Sequence, residues 1–479
     1  MLKKILSYSL LLTIANQLPM LVSLFTLPIV SQYLTKADYG IYGTLFSYVG
    51  LLSAFKDWGL VTVFGNTYFK YPNRFQWIWG KLMGFVMTWA LLYAMLLAVF
   101  LYFIFLQKIE GLNVTYILFL IVIPTALFEN TRSLGIRLLQ FQHKILPVFV
   151  VSVLTAVIGA LVNIHTITQL HWKGYESWFL VYFLTSFLNF LFYSWVLHFK
   201  FKVIPNLKFT YKWLRKHLNV AIPTIPHFYS NYILKSLDRP LMDKFHIPLA
   251  DIGLYNVAYN FGNYVESAQM AVNQVLSPFY FNLFKQKEEN IEQKIRLLTF
   301  LWQGTTLFGA FVLCIWLKEI FGFLYRKNPE FAMVYMYSIP IVMSFTYRPM
   351  YVSVVDRVIF NEKTKSVLLI SLVAAIISIV LNLTLIPFLG FQGPIITVFI
   401  TFMYMGFSGF FWKSMNKYIK LPFYPLLWLG LIILTGGIAF LLKDIYWGYK
   451  LFISLGLLII YGTILKEIHP ELNRILQIK

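Results

Sequence analysis

Three observations predict an all-α polytopic membrane protein. The 479-residue chain is 59% hydrophobic and only 12% charged, its mean hydropathy is +0.69, and its apolar runs repeatedly reach bilayer-spanning length. A soluble protein carries about 25% charged residues. The surface of this chain therefore faces lipid, which excludes a soluble enzyme or a nucleic-acid-binding domain.

A helix needs roughly 20 apolar residues to cross a bilayer. Runs of that kind, divided by polar or turn-rich breaks, cover 8–34, 41–64, 78–106, 114–138, 145–167, 177–199, 220–245, 252–281, 297–317, 332–356, 366–389, 394–412, 423–442 and 449–465, so about fourteen spans are predicted. Lys3 and Lys4 precede an apolar run that continues past Leu34 without a small-residue cleavage pattern, so it reads as a first spanning helix rather than a secretory signal. The single cysteine, Cys314, excludes an internal disulfide and any cysteine-based metal cluster.

Forty Lys and Arg against nineteen Asp and Glu give a net charge of +21. Lysine and arginine accumulate in cytoplasmic loops. With the N-terminus cytoplasmic, 26 of the basic residues fall in cytoplasmic segments and 9 on the opposite side. Both termini are accordingly predicted to be cytoplasmic, and most of the net charge is topology. The longest loop is the basic stretch from Lys200 to Asn219, too short for a folded extramembrane domain.

The remaining five basic residues, Lys56, Arg132, Lys235, Arg239 and Arg348, lie within predicted spans with the acidic residues Asp57, Glu129, Asp238 and Glu266, and Asp356 lies near a span end. A charge at a helix centre costs about 2.5–3.5 kcal/mol on the insertion scale, so these charges facing lipid would cost on the order of 25 kcal/mol. They must line an interior cavity or pair with one another. Glu129 and Arg132 are spaced i,i+3, and Lys235, Asp238 and Arg239 are spaced i,i+3,i+4, so each set shares a helix face. Asp57 beside Lys56, and Glu129 with Arg132, suit ion pairs between or along helices. Around Lys235, Arg239 and Arg348 cations outnumber carboxylates, which points to an anionic substrate.

The chain also repeats itself. Leu34-Thr-Lys-Ala-Asp38-Tyr-Gly40-Ile-Tyr42 reappears as Ile247-Pro-Leu-Ala-Asp251-Ile-Gly253-Leu-Tyr255 at an offset of 213, and Leu161-Val-Asn163-Ile aligns with Val380-Leu-Asn382-Leu at an offset of 219. Six spans separate the copies, so both keep the same orientation and are related by an axis along the membrane normal. The expected architecture is two six-helix lobes around a central cavity. An N-terminal lobe covers 1–199, a basic cytoplasmic linker 200–219, a C-terminal lobe 220–412, and two extra helices with a cytoplasmic tail 413–479. Such transporters place substrate near the midplane, often on interrupted helices. Pro223, Pro226 and Pro240 mark the seventh span as one, and His227 on it is a possible proton carrier or simply a hydrogen-bonded residue.

Leu27-Pro-Ile-Val-Ser-Gln-Tyr-Leu-Thr-Lys-Ala-Asp-Tyr-Gly-Ile-Tyr42 resembles the first-loop signature of bacterial polysaccharide (O-antigen-type) flippases of the multidrug/oligosaccharidyl-lipid/polysaccharide (MOP) exporter superfamily. Ser236-Leu-Asp-Arg-Pro-Leu-Met-Asp-Lys-Phe, continuing to Asp251-Ile-Gly-Leu-Tyr-Asn-Val-Ala-Tyr259, is similar to the family's seventh-span pattern, and Asn382-Leu-Thr-Leu-Ile-Pro387-Phe-Leu-Gly-Phe-Gln-Gly393 resembles its eleventh-span exit. The resemblance spans roughly residues 10 to 412. It implies an inner-membrane transporter, not an enzyme, that moves an undecaprenyl-pyrophosphate-linked oligosaccharide to the outer leaflet by alternating access for surface polysaccharide (O-antigen, lipopolysaccharide) assembly. It implies no cofactor beyond a coupling ion, H+ or Na+, and membrane lipids, a polysaccharide polymerase and glycosyltransferases as partners. The family's Asp-Arg pair maps onto Asp238 and Arg239. Lys235, Arg348, Arg132 and Lys56 join as cavity cations on charge and depth alone; Arg in particular matches phosphate oxygens bidentately. Asp57, Glu129, Asp238 and Glu266 are the ion-coupling or ion-pair candidates. Related lipid II flippases carry arginines in their first span, where this chain offers only Asn16 and Gln17, which disfavours a peptidoglycan-precursor role.

Two alternatives stand beside this reading. A multidrug or small-molecule exporter of the same superfamily favours an anionic or apolar cavity over a cationic one. A membrane polysaccharide polymerase or glycosyltransferase needs a sizeable outside loop with catalytic groups, and neither that nor a metal-ligand spacing or phosphate-cradling glycine loop is present in the sequence.

Overall fold

A computed structural model describes residues 2–109, 111–285 and 290–476. The side chains of residues 2–14, Asn16, Lys108, His227, His469 and 471–476 lie outside that description, and with them the readings placed on Asn16 and His227. Among the described residues the chain is helical, without a strand. It forms two compact units, 1–256 and 257–479.

The first unit contains α1 (Leu2–Val30), α2 (Lys36–Leu52), α3 (Val61–Lys70), α4 (Phe75–Ile104), α5 (Val114–Ile123), α6 (Glu129–Phe141), α7 (Leu146–Thr168), α8 (Gly174–Trp195), α9 (Tyr211–Ala221), α10 (Ile225–Ser236), α11 (Asp238–Lys244) and the start of α12 (Leu249–Lys285). The second holds the rest of α12, then α13 (Ile291–Leu324), α14 (Pro329–Ala332), α15 (Tyr335–Ser344), α16 (Arg348–Phe360), α17 (Thr364–Leu389), α18 (Gln392–Phe407), α19 (Lys413–Asn416), α20 (Pro425–Leu442) and α21 (Trp447–Leu476).

Nine helical stretches among the described residues are long and apolar enough to cross a membrane: Phe75–Ile104, Val114–Phe141, Leu146–Thr168, Gly174–Lys200, Ile291–Leu324, Thr364–Leu389, Gln392–Phe410, Pro425–Leu442 and Trp447–Ile468. The chain is thus a multi-pass membrane protein. Three of the other five expected spans do not form one long helix, for a physical reason. The expected spans 41–64, 220–245 and 332–356 are interrupted helices, α2/α3, α10/α11 and α15/α16, whose pieces are each shorter than a crossing. The expected spans 8–34 and 252–281 fall largely in α1 and α12.

In the first unit α8 is the central post, packed against α2, α5, α6 and α7, while α1 lies along α7. The apolar stripe of α2 (Ile41, Leu45, Tyr48, Val49) meets Leu97 and Leu101 of α4, Leu120 and Ile121 of α5, and Phe179 of α8. Asp38 fixes how α2 enters this core. Thr35 and Asp38 form a reciprocal capping box, and the other Asp38 oxygen accepts the Tyr175 amide at the start of α8 at 3.2 Å. One buried carboxylate thereby satisfies free amides at two helix starts.

The repeated motifs meet each other. Gly40 of α2 lies against the Leu249 carbonyl, Gly253 of α12 lies against the Lys36 carbonyl, and Gly43 lies against the Asn256 side chain. Each of these pairs is reciprocal under the 213-residue offset, so the sequence repeat becomes a local two-fold contact between the first turns of α2 and α12. A Cβ on Gly40 or Gly253 would overlap the opposing carbonyl oxygen. Only glycine lets the two backbones approach this closely, as at small-residue helix crossings in membranes.

In the second unit α13 packs against α15, α16, α20 and α21. The last two helices are tied on by charge at one end. Lys450, fully buried, donates to Glu319 at 2.7 Å, and Asp444 accepts from Lys318 at 2.9 Å and from Tyr335 at 2.7 Å. The Tyr335 hydroxyl and the Lys318 and Lys443 ammonium groups hold the Asp444 carboxyl well below the usual carboxylate range.

Gly40→Ala and Gly253→Ala are each expected to destabilise the protein by about 1–3 kcal/mol, because the added methyl meets rigid backbone. Gly309→Ala in α13, where nothing lies within 4 Å, should be neutral or stabilising by up to ~1 kcal/mol. Thermal unfolding of the purified protein in detergent separates the two outcomes.

Candidate functional site

The intramembrane charges gather where the helices break. Between α2 and α3 the chain makes a 3-10 turn at Ser53–Phe55, and Trp58 and Gly59 take positive φ angles of 55° and 72°. Breaking a helix inside a membrane frees backbone groups that only the protein can satisfy. Here the Trp89 indole donates to the Phe55 carbonyl at 2.7 Å and the Asp57 carboxylate accepts the Gly59 amide at 3.0 Å. Facing this break is an irregularity in a continuous helical stretch: a π-helical turn at Pro124–Phe128 lies between α5 and α6, and Glu129 is the first residue beyond it.

Lys56 and Glu129 join the two turns, Nζ to Oε2 at 2.7 Å. The other carboxylate oxygen accepts the Tyr182 hydroxyl of α8 at 2.6 Å, which lies 3.1 Å from Thr125 Oγ1. The side chains of this pair keep 17% and 31% of their surface exposed, so the pair borders open space. Lys56 is thus paired with Glu129 across helices rather than with its neighbour Asp57. Arg132, one turn beyond Glu129 and half-buried, makes no hydrogen bond or ion pair with a described residue, although the Glu129 charge reaches it.

Asp238 and Arg239 follow a further break, at Leu237 between α10 and α11. This segment packs on α2 within the first unit. Arg239 is 7% exposed. Its Nε donates to Asn256 Oδ1 at 2.7 Å, and its Nη1 donates to the Lys235 carbonyl at 2.6 Å and to Asp238 Oδ1 at 2.9 Å. Asp238 also accepts the Tyr255 hydroxyl, and Asn256 donates to the Tyr39 carbonyl at 2.9 Å. The Asp-Arg pair therefore anchors the interlocked turns of α2 and α12. Tyr232 and Tyr229 of α10 donate to the Ser47 and Leu51 carbonyls of α2, each at 2.9 Å, and Tyr48 donates to Asp243 at 2.6 Å. Lys235 is half-buried one turn before Arg239.

The second unit has its own pair. A 3-10 turn at Phe345–Tyr347 interrupts α15 and α16, and Arg348 emerges from it to meet Glu266 of α12 at 2.8 Å, the side chains being 12% and 10% exposed. Arg348 Nε is buried without a hydrogen-bond partner among the described residues. Further along α16, Arg357 pairs with Glu292 at 2.9 Å, a buried pair that sequence reading placed outside the spans. Its signal was the adjacent Asp356. No group of three His, Cys, Asp or Glu suited to a metal ion occurs among the described residues.

Removing one member of a buried pair leaves an uncompensated charge. Glu266→Ala is expected to destabilise by about 3–5 kcal/mol, and the double variant Glu266→Ala/Arg348→Met should recover most of that loss. A double-mutant cycle on thermal stability checks this; additive single effects would refute the coupling.

The profile of the family described as polysaccharide biosynthesis protein matches residues 3–284. No curated protein matches the sequence. Among solved structures, a multidrug resistance MATE family transporter of the MOP superfamily in its inward-facing conformation is 12% identical, with a TM-score of 0.64 over 85% of this chain and 98% of that one. The lipid II flippase MurJ in an inward closed conformation is 16% identical, with a TM-score of 0.60 over 91% and 98%. A MOP superfamily transporter from Pyrococcus furiosus, with a binding pocket described as of reverse polarity, is 12% identical with a TM-score of 0.58 over 88% and 97%. These likenesses give the fold. The chain belongs to the polysaccharide biosynthesis protein family and has the fold of MOP-superfamily membrane transporters.

Proposed function

We propose that the protein is a flippase that carries an undecaprenyl-pyrophosphate-linked oligosaccharide across the bacterial cytoplasmic membrane by alternating access, with its termini in the cytoplasm. The observation that carries this reading is Arg132. It is a half-buried cation in a membrane-spanning stretch, one turn from an ion pair that borders open space, and no described residue forms a hydrogen bond or ion pair with it. A guanidinium with no hydrogen bond or ion pair to a described residue at this depth is costly unless an anion visits it, and its planar fork matches pyrophosphate oxygens.

In this mechanism the pyrophosphate docks on Arg132 and draws Lys56 away from Glu129, with Lys235 as a further cation. Arg239 and Arg348, already engaged by Asp238 and Glu266, hold the helix breaks in shape. The family membership and the MurJ-like fold support a lipid-linked substrate. An excess of cations over carboxylates at the breaks of the first unit favours an anionic cargo over the cationic drugs of a multidrug exporter.

The test is delivery of glycan to the cell surface. Arg132→Ala is expected to cut delivery at least tenfold while membrane protein levels hold, Arg132→Lys should restore part of it, and Arg239→Ala should instead lower the amount of folded protein. Undiminished surface glycan in Arg132→Ala would overturn the assignment.

Asp57 and Glu266 are proposed to couple transport to H+ or Na+. Asp57→Asn is expected to make flipping in vesicles indifferent to an imposed gradient; a variant that keeps the gradient dependence of the unaltered protein would remove Asp57 from that role.

A further inference from the structure

The sequence has no acidic residue in 58–109 or in 177–237, and the fold brings parts of these two stretches together at one end of the first unit. The segment between α8 and α9 is a fixed strap rather than a loose loop. It lies across α4 where two glycines one turn apart remove the side chains, Gly80 against the Ile204 carbonyl and Gly84 against the Asn206 carbonyl. The Asn206 amide donates to the Gly80 carbonyl at 2.9 Å. Further along, the rings of Phe209 and Phe85 are 6.1 Å apart.

The strap delivers α9 onto α3. Leu214 and Ala221 are buried, Trp213 and Leu218 are half-buried, and Lys212, Arg215 and Lys216 are exposed. Trp213 meets Trp77 of α4 at 6.2 Å. Lys81 is held at this junction, its Nζ 4.1 Å from the Trp77 ring and 5.5 Å from the Trp213 ring. Around it, Lys70 and Arg74 are also exposed, and a shallow pocket is lined by Tyr71, Pro72, Asn73 and Arg74.

Large apolar side chains stand out among these cations. Phe199, Tyr211, Phe69 and Leu207 expose between 64% and 76% of their surface. Water alone is a poor medium for that surface, and hydrocarbon alone is a poor one for the lysines. An amphipathic basic helix with flanking aromatics matches the headgroup zone of a bilayer.

We infer that α9, its strap and the α3–α4 turn form a binding surface for anionic phospholipid headgroups. The apolar side chains enter the acyl boundary, and Lys212, Arg215, Lys216 and Arg74 engage lipid phosphates. This surface is separate from the Lys56–Glu129 and Arg132 site, and does not depend on how that site is used.

The test uses the purified full-length protein, stripped of lipid in detergent and offered phosphatidylglycerol or phosphatidylcholine, with retained lipid counted by native mass spectrometry. The unaltered protein should retain phosphatidylglycerol at least tenfold over phosphatidylcholine, and added salt should erode the preference. Each cation near an anionic surface contributes about fivefold, so Lys212→Gln/Arg215→Gln/Lys216→Gln should weaken phosphatidylglycerol retention on the order of 100-fold. Equal retention of the two lipids by the unaltered protein overturns the inference, as does a preference that survives the triple substitution. Binding of inorganic phosphate that is lost in the triple variant, with no phosphatidylglycerol retained by the unaltered protein, also overturns it, in favour of a free-phosphate site. If the triple variant fails to fold, the salt titration of the unaltered protein decides: a preference untouched by salt refutes the surface.

Discussion

Inside a bilayer an interrupted helix leaves amides and carbonyls that no water can reach, and this chain meets that constraint by placing its charges at the interruptions. Lys56 follows the break after α2, Glu129 follows the π-turn after α5, Asp238 and Arg239 follow the break at Leu237, and Arg348 follows the 3-10 turn after α15. The charges need the breaks for polar surroundings, and the breaks need polar partners: the Trp89 indole and the Tyr229 hydroxyl donate to the Phe55 and Leu51 carbonyls near the end of α2, while Tyr182 donates to the Glu129 carboxylate. Stability and function thus draw on the same few residues.

The internal repeat reaches further than its motifs. The offset of 219 that aligns Asn163 with Asn382 also aligns Glu129 with Arg348. Each residue opens the helix after its irregular turn, and each pairs with a residue of an earlier segment, Lys56 of the α2–α3 turn in one copy and Glu266 of α12 in the other. The fold has kept the position of the ion pair and reversed its polarity. A pair survives such a reversal because complementarity, not the sign on either helix, offsets the desolvation of both charges. Each unit thereby keeps a separate polar identity on a shared helical plan.

Much of the fold was legible in the sequence because hydropathy reports burial in lipid directly. The apolar runs marked helices that are present, and Pro223 and Pro226 marked a real interruption, Ile222–Thr224. Partners were harder to read. The spacing of Glu129 and Arg132 suggested a pair within one helix, yet Glu129 meets Lys56, 73 positions away in the chain. The Asp238-Arg239 motif read as a substrate contact, whereas Arg239 is enclosed by Asn256, Asp238 and the Lys235 carbonyl. Helical periodicity fixes which face a charge occupies, but not which distant helix that face meets.

By itself, then, the sequence determined the class of solvent, the helical content, the repeat and the small set of charges that lipid cannot cover, since each follows from local composition and the cost of burying polar groups. Only the tertiary structure decided which of those charges are consumed in pairs and that Arg132 is left with no hydrogen bond or ion pair to a described residue. It also showed that Gly40 and Gly253 are where the two repeat copies touch. These outcomes depend on contacts between segments far apart in the chain, and packing across such distances is set by the shape of the whole unit rather than by any local pattern.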